Sequence, residues 1–195
     1  MKFSSVLTSA IGVAALSQFA APAHAVNIIF AENFGASAPD QYNATSAGVF
    51  TATAGNVDLI GDGGLYDFYP GNGKYIDLNG NTAGDISSSI FTLSAPGTLS
   101  FDYGANGSGA FDVFFGATKL VSLSAVQSGT FANYSTAVSG SGAVRFVSNT
   151  PGAGGAIIDN VVLSESTAVP EPSDFVGTVF VLGSVVALKR KFGKK

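Results

Sequence analysis

Through the middle of this chain, short apolar runs alternate with turn residues at intervals of roughly ten, the pattern of a sandwich or barrel. The runs predict eleven strands: residues 28–34, 48–54, 57–60, 74–78, 87–93, 97–103, 111–115, 120–123, 131–138, 143–147 and 156–163. Over residues 98–103, Leu99, Phe101 and Tyr103 share one face while Ser100 and Asp102 share the other, as a half-buried strand requires. The alternation is weaker over residues 143–147. Gly71-Asn72-Gly73, Asn79-Gly80-Asn81 and residues 105–109 are turn signals, because Gly and Asn tolerate positive φ. No useful helical periodicity and no internal repeat occur between the two ends. An all-β antiparallel sandwich over residues 26–165 is therefore expected.

The ends follow another pattern. Lys2 starts the chain, an apolar stretch runs from Val6 to Phe19, and Pro22 precedes Ala23-His24-Ala25. A positive start, an apolar run and a small-x-small site predict a helical signal peptide over residues 1–25, with Ala23 and Ala25 marking the cleavage point. At the other end, residues 166–174 form a linker containing Val169, Pro170, Glu171 and Pro172. Its proline rings fix φ and bias the preceding residues away from helix, so the segment is stiff and extended. Residues 175–188 are apolar, and Lys189, Arg190, Lys191, Lys194 and Lys195 close the chain in a basic tail over 189–195. Fourteen helical residues rise about 21 Å against a hydrocarbon core of about 30 Å, a gap that snorkelling lysine and arginine stems help to close. A transmembrane helix with its basic tail in the cytoplasm is the expectation, since positive charge stays on that side.

The order Pro-Glu-Pro, apolar span, basic end resembles the PEP-CTERM sorting signal of Gram-negative bacteria, over about the last 27 residues. That resemblance implies an exosortase-type membrane peptidase as partner, residence at the inner membrane, and delivery to the cell surface or the exopolysaccharide matrix. The strand pattern, with Ala31-Glu32-Asn33-Phe34 first and residues 157–163 last, resembles the galactose-binding-like jelly roll of many carbohydrate-binding modules. It implies adjacent first and last strands, with Glu32 and Asp159 placed to bind a structural calcium. Without the resemblance, the two acids read as strand-end residues facing solvent or capping turns.

Charge and composition narrow the chemistry. Residues 26–168 carry Lys74, Lys119 and Arg145 against eleven acids, a formal charge of −8. Phosphate binding needs basic clusters, so nucleic acid is not expected as a partner. The chain has no cysteine, and its one histidine, His24, would leave with the signal peptide. Thiolate and imidazole sites for zinc, copper or iron then lack ligands, and so does a Ser-His-Asp triad. Oxygen ligands remain, which leaves calcium as the metal to consider.

Three further groups carry possible chemistry. Tyr66, Phe68, Tyr69 and Tyr75 cluster around Asp67 and Gly71–Gly73 and could stack on sugar rings or anchor a loop onto the core; the absence of tryptophan weakens a sugar platform. Residues 77–85 alternate Asp and Asn and could converge on a cation, but Thr82 and Ser88 stand where a helix–loop–helix calcium loop has its Gly and Glu. Asp102 and Asp112 lie on neighbouring predicted strands and are candidates for glycoside hydrolysis on that ground alone. Both alternate with core residues and are expected to face solvent on the outer sheet surface. The expected function is that of a non-enzymatic, exported surface or matrix protein with a structural or adhesive role. A dedicated carbohydrate-binding module with calcium and extracellular polysaccharide as partner is the alternative, and a hydrolase is a distant third.

Overall fold

The computed structural model describes residues 24–37 and 40–168. Thirteen strands form: β1 (His24–Glu32), β2 (Gln41–Ala44), β3 (Ser46–Ala47), β4 (Phe50–Ala54), β5 (Val57–Gly61), β6 (Lys74–Asp77), β7 (Asp85–Thr92), β8 (Gly97–Ala105), β9 (Ser108–Phe115), β10 (Thr118–Val126), β11 (Ala132–Val138), β12 (Ser141–Ser148) and β13 (Ala156–Ala168). Each of the eleven expected runs coincides with one of them. The two additional strands, β2 and β3, are short and mostly polar, so they carry no apolar alternation to read.

The strands build two antiparallel sheets. One runs in the order β11-β8-β13-β6-β5-β2, with β1 pairing β13; the other runs β10-β9-β12-β7-β4-β3. The first and last strands are thus neighbours. Among the described residues there is no helix. Ala23, the Val169–Pro172 motif, the apolar span 175–188 and the basic tail 189–195 lie outside the described residues. Ala25 lies within β1, where its carbonyl accepts the Thr167 hydroxyl at 3.2 Å. Strand β13 continues to Ala168, past the apolar run that predicts it. Ser166 there donates its N–H to the Pro96 carbonyl at 3.1 Å.

The period-two pattern explains the packing. Leu99 and Phe101 on β8, with Leu59, Ile76 and Ile158 from the same sheet, face Phe50, Ile86, Phe111, Val113, Val144 and Phe146 from the other. Phe101 and Phe146 meet across the layer, ring centroids 5.1 Å apart at 88°, the edge-to-face arrangement that aromatic quadrupoles favour. Burial of each such side chain stabilises the fold by about 1.5–3 kcal/mol. On β13 the alternation slips at a bulge between Asp159 and Val162, where Asn160 has φ 47. The extra residue puts Val161 and Leu163 back into the core after Ile158.

A second, smaller core lies on the outer face of the seven-stranded sheet. Because Leu59 and Ile76 point inward, Ile60 and Tyr75 point outward, where they join Tyr69 and Ile157 in a buried cluster. Tyr69 is contributed by the long β5–β6 connection. Its ring stacks on Phe131 at 4.3 Å and meets Tyr75 edge-on at 5.8 Å. The Tyr69 hydroxyl donates to the Ala105 carbonyl at 3.0 Å and accepts the Ala105 N–H at 2.8 Å, in place of a further strand. Gly104 makes that approach possible, because a Cβ there would run into the Tyr69 hydroxyl. The Tyr75 hydroxyl accepts the Tyr69 N–H and donates to Asp67, both at 3.0 Å. Burial is the main cause that pushes its ionisation upward. The connection is therefore clamped onto the sheet at two tyrosines.

Candidate functional site

The clamp leaves a cleft beside it. Strands β5 and β6 pair with Asp58 directly opposite Asp77, so both carboxylates project from the outer face as neighbours. Like charges in that position destabilise a sheet unless something compensates. Ile60 lies beside them in the cleft floor. One wall consists of Tyr42 from β2 and Leu65, Tyr66 and Phe68 from the β5–β6 connection. The other consists of Gly80, Asn81, Asn106, Ala153 and Gly154. The cleft holds about 410 Å³, within the usual range for small-ligand sites.

Its wall is unusual for exposed surface. Tyr42 and Tyr66 are each 45% exposed and Leu65 is 81% exposed. Among the described residues no other tyrosine is as exposed as these two. The two rings meet at 5.6 Å in a T-shaped arrangement, and Phe68 lies 6.2 Å from Tyr66. Tyr42 donates its hydroxyl to Asp40 at 3.3 Å.

The polar wall is held by side chains. Asp58 Oδ1 accepts the Asn43 N–H at 2.7 Å, and Asn43 Oδ1 accepts the Asn81 N–H at 2.7 Å. Asn56 Oδ1 accepts the Thr82 N–H at 3.2 Å. Asn43 pays for this role with a left-handed backbone, φ 56. Gly80 packs against the same latch: a Cβ there would lie 2.5 Å from Asn56 Oδ1, 2.9 Å from Asn43 Oδ1 and 3.0 Å from Asp58 Oδ1. Asn79 donates to the Thr150 and Gly152 carbonyls, each at 2.7 Å, which fixes the segment carrying Ala153 and Gly154. Asp77 is 2% exposed and accepts the Asn79 N–H at 2.9 Å and the Asn106 amide at 3.2 Å. Burial, reinforced by the Asp58 charge, outweighs these bonds and pushes its pKa up to about 6. Burial also raises that of Asp58.

The structure distributes the expected aromatic residues between two roles. Tyr66 and Phe68 line the cleft, whereas Tyr69 and Tyr75 are fully buried and clamp the connection, with no face open to a ligand. Tyr42, Asp58 and Asp77 complete the cleft; Tyr42 and Asp58 were not legible as site residues, and Asp77 stood out only as part of the Asp/Asn run. Their signal was a tyrosine in an otherwise polar segment and acids alternating with buried Leu59 and Ile76. The Asp/Asn run of residues 77–85 does not converge on one point: Asp77 enters the cleft, Asn79 is tied to residues 150–152, and Asp85 forms an ion pair with Arg145 through the Arg145 Nε at 2.6 Å.

Glu32 and Asp159 mark a second place. Glu32 sits at the end of β1 and accepts the Phe34 N–H at 2.7 Å and the Val49 N–H at 2.9 Å. Together with Asn160 it borders a hollow of about 250 Å³. Asp159 is 1% exposed, accepts the Asn160 N–H at 2.7 Å, and lies opposite Asp102 in the β13–β8 pairing. Burial first, then the charges of Asp102 and Glu32, push its pKa up to about 7. Asp102 itself accepts amide N–H groups of Asn133 at 2.8 Å and Asn160 at 2.9 Å.

Asp102 and Asp112 do not form a catalytic pair. They belong to β8 and β9, which lie in different sheets. Each alternates with core residues, so they point away from each other on opposite outer surfaces. Asp112 is paired with Lys119 at 2.8 Å, which holds its carboxyl below the usual range. Adjacent strands in sequence are not adjacent in space here, because the chain crosses between layers after β8.

No protein-family model matches the chain, and no curated protein matches it. Solved structures to which it is similar include CBM35 from Paenibacillus barcinonensis, at 20% identity and TM-score 0.43, covering 72% of this chain and 99% of that one. A family 35 carbohydrate-binding module from an environmental isolate aligns at 16% identity and TM-score 0.44, over 74% of this chain and 100% of that one. The K3 cleaved adhesin domain of Lys-gingipain from Porphyromonas gingivalis aligns at 14% identity and TM-score 0.46, over 72% of this chain and 99% of that one.

Proposed function

We propose that this chain is a glycan-contacting sandwich that binds without catalysing a reaction. The observation that carries the reading is the cleft, where exposed Tyr42 and Tyr66 stand over a floor of carboxylates and amides. A sugar ring has an apolar C–H face and a rim of hydroxyls. The aromatic wall suits the face, and Asp58, Asn81 and Asn106 suit the rim. The latches on Asn43, Asn56 and Asn79 keep the polar wall in place before binding, which limits the ordering cost. Tyr66→Ala is expected to weaken glycan binding by the full chain at least about tenfold, in line with the loss of a central aromatic contact. A glycan array comparing the two proteins measures this. Equal binding would remove the cleft from the account, and release of reducing sugar would assign chemistry to Asp58 and Asp77 instead.

The jelly-roll membership, the calcium and the export route belong to the same proposal. Glu32 and Asp159 are the residues that would hold calcium. Their oxygens suit a hard cation, and a positive charge would relieve the repulsion that Glu32 and Asp102 impose on buried Asp159. Backbone carbonyls and water would have to complete the six to eight ligands, since no group of three or more metal-binding side chains occurs among the described residues. Bound calcium would supply a cross-link between β1 and β13. Millimolar calcium is expected to raise the melting temperature of the parent chain and not of Asp159→Ala. A melting curve that ignores calcium would end this part.

The terminal segments support export, a membrane tether and an exosortase-type processing step, with the sandwich working at the cell surface or in its polysaccharide matrix. Mass spectrometry of the mature protein from its host reads both ends at once. Retention of Met1 together with Lys195 would contradict the route.

A further inference from the structure

We infer that the cleft selects uncharged glycans and rejects those bearing carboxylate or sulfate groups. This deepens the glycan-binding reading and rests on it. Among the described residues the lining contains two carboxylates, Asp58 and Asp77, and no lysine, arginine or histidine. Asp40 adds a carboxylate behind the aromatic wall, bonded to the Tyr42 hydroxyl and bordering a neighbouring hollow with Lys74. Anion recognition needs a charge-assisted donor, and the backbone N–H groups of Asn43, Asn79, Asn81 and Thr82 are already committed to side chains of the cleft and its latch. An anionic substituent would therefore desolvate beside like charges with only the neutral amides of Asn81 and Asn106 to offset them.

A neutral sugar meets the opposite situation. Its hydroxyls donate, and the floor is rich in acceptors. Asp58 spends Oδ1 on the Asn43 N–H, and the described residues supply no donor to Oδ2. Vicinal hydroxyls can bond to that open carboxylate oxygen while the ring lies against Tyr66. The acid pair on β5 and β6, unfavourable as sheet chemistry, thus acquires a use: it is an acceptor platform that also excludes anions.

The test titrates the full chain with matched oligosaccharides, namely xylo-, gluco- and galacto-oligosaccharides and their uronate or sulfated counterparts, in chelator and again with calcium. At least one neutral series is expected to bind saturably, with its charged counterpart at least about tenfold weaker at low salt, the size of one poorly screened like-charge contact. The gap should narrow at high salt and in Asp58→Asn. A charged counterpart that binds as tightly as the neutral one in chelator overturns the selectivity while leaving glycan binding intact. Tight binding of the charged series only with calcium overturns it too, in favour of a cation bridge. Failure of every series would sink the underlying reading, and the selectivity with it.

Discussion

Tyr69→Ala is expected to cost about 3–5 kcal/mol of stability and to abolish ligand binding together, although its side chain touches no ligand. The ring fills the outer core between Phe131 and Tyr75, and its hydroxyl satisfies both backbone groups of Ala105. Truncation would leave a cavity and two unpaired polar groups, and would release the connection that carries Leu65, Tyr66 and Phe68 into the cleft wall. Tyr69→Phe separates the two effects. It keeps the ring and strands the Ala105 donor and acceptor, at a cost of about 1–3 kcal/mol. Urea unfolding midpoints measure both. Should Tyr69→Ala unfold at the parent's urea concentration, the outer core would not be what holds the connection down.

The second large effect is an inverted pH dependence. Asp159, faced by Glu32 and Asp102, has its pKa raised to about 7, and Asp77, faced by Asp58, to about 6. In the unfolded chain both titrate near the ordinary value of about 3.9. Between these limits the folded protein holds more protons than the unfolded one, so stability falls as pH rises. The contribution is complete below about pH 4 and is lost as pH passes through about 6 and then about 7. Without divalent cations, the protein is expected to be more stable at pH 5 than at pH 8, by an amount on the order of a few kcal/mol. Asp159→Asn should flatten the curve and exceed the parent at pH 8, because an uncharged amide ends the repulsion while its oxygen can still accept the Asn160 N–H. A parent whose melting temperature climbs from pH 5 to pH 8 in chelator would contradict the burial of these acids. Calcium at pH 8 should restore what deprotonation removes.

How much could be read in advance follows from the physics of each element. Most of the eleven main strands were legible because one face is buried, and burial enforces alternation; Leu99 and Phe101 against Ser100 and Asp102 is the plainest case, whereas β1 and β10 are only half-buried. The pairing of Glu32 with the Asp159 region came from resemblance, not from periodicity. The cleft was half legible. Tyr66 and Phe68 stood out as rings among glycines, but no pattern in an irregular connection says which rings turn inward, so Tyr69 looked equivalent to them; alternation puts Tyr75 on the outer face of β6 without saying that Tyr69 covers it. Asp58 and Asp77 lie nineteen positions apart and become neighbours only through the β5–β6 register. Asp102 and Asp112 show the converse: their alternation with core residues already put them on outer faces, and only the crossing between sheets shows that those faces are opposite ones.

The most direct test of the account follows the tyrosine rings by NMR while a neutral oligosaccharide that binds is added to the full chain. The Tyr42 and Tyr66 resonances are expected to shift saturably with one common affinity, while Tyr103 and Tyr134, which pack beside Phe101, stay in place. Saturable binding that leaves Tyr42 and Tyr66 unmoved would contradict the assignment of this cleft as the ligand site.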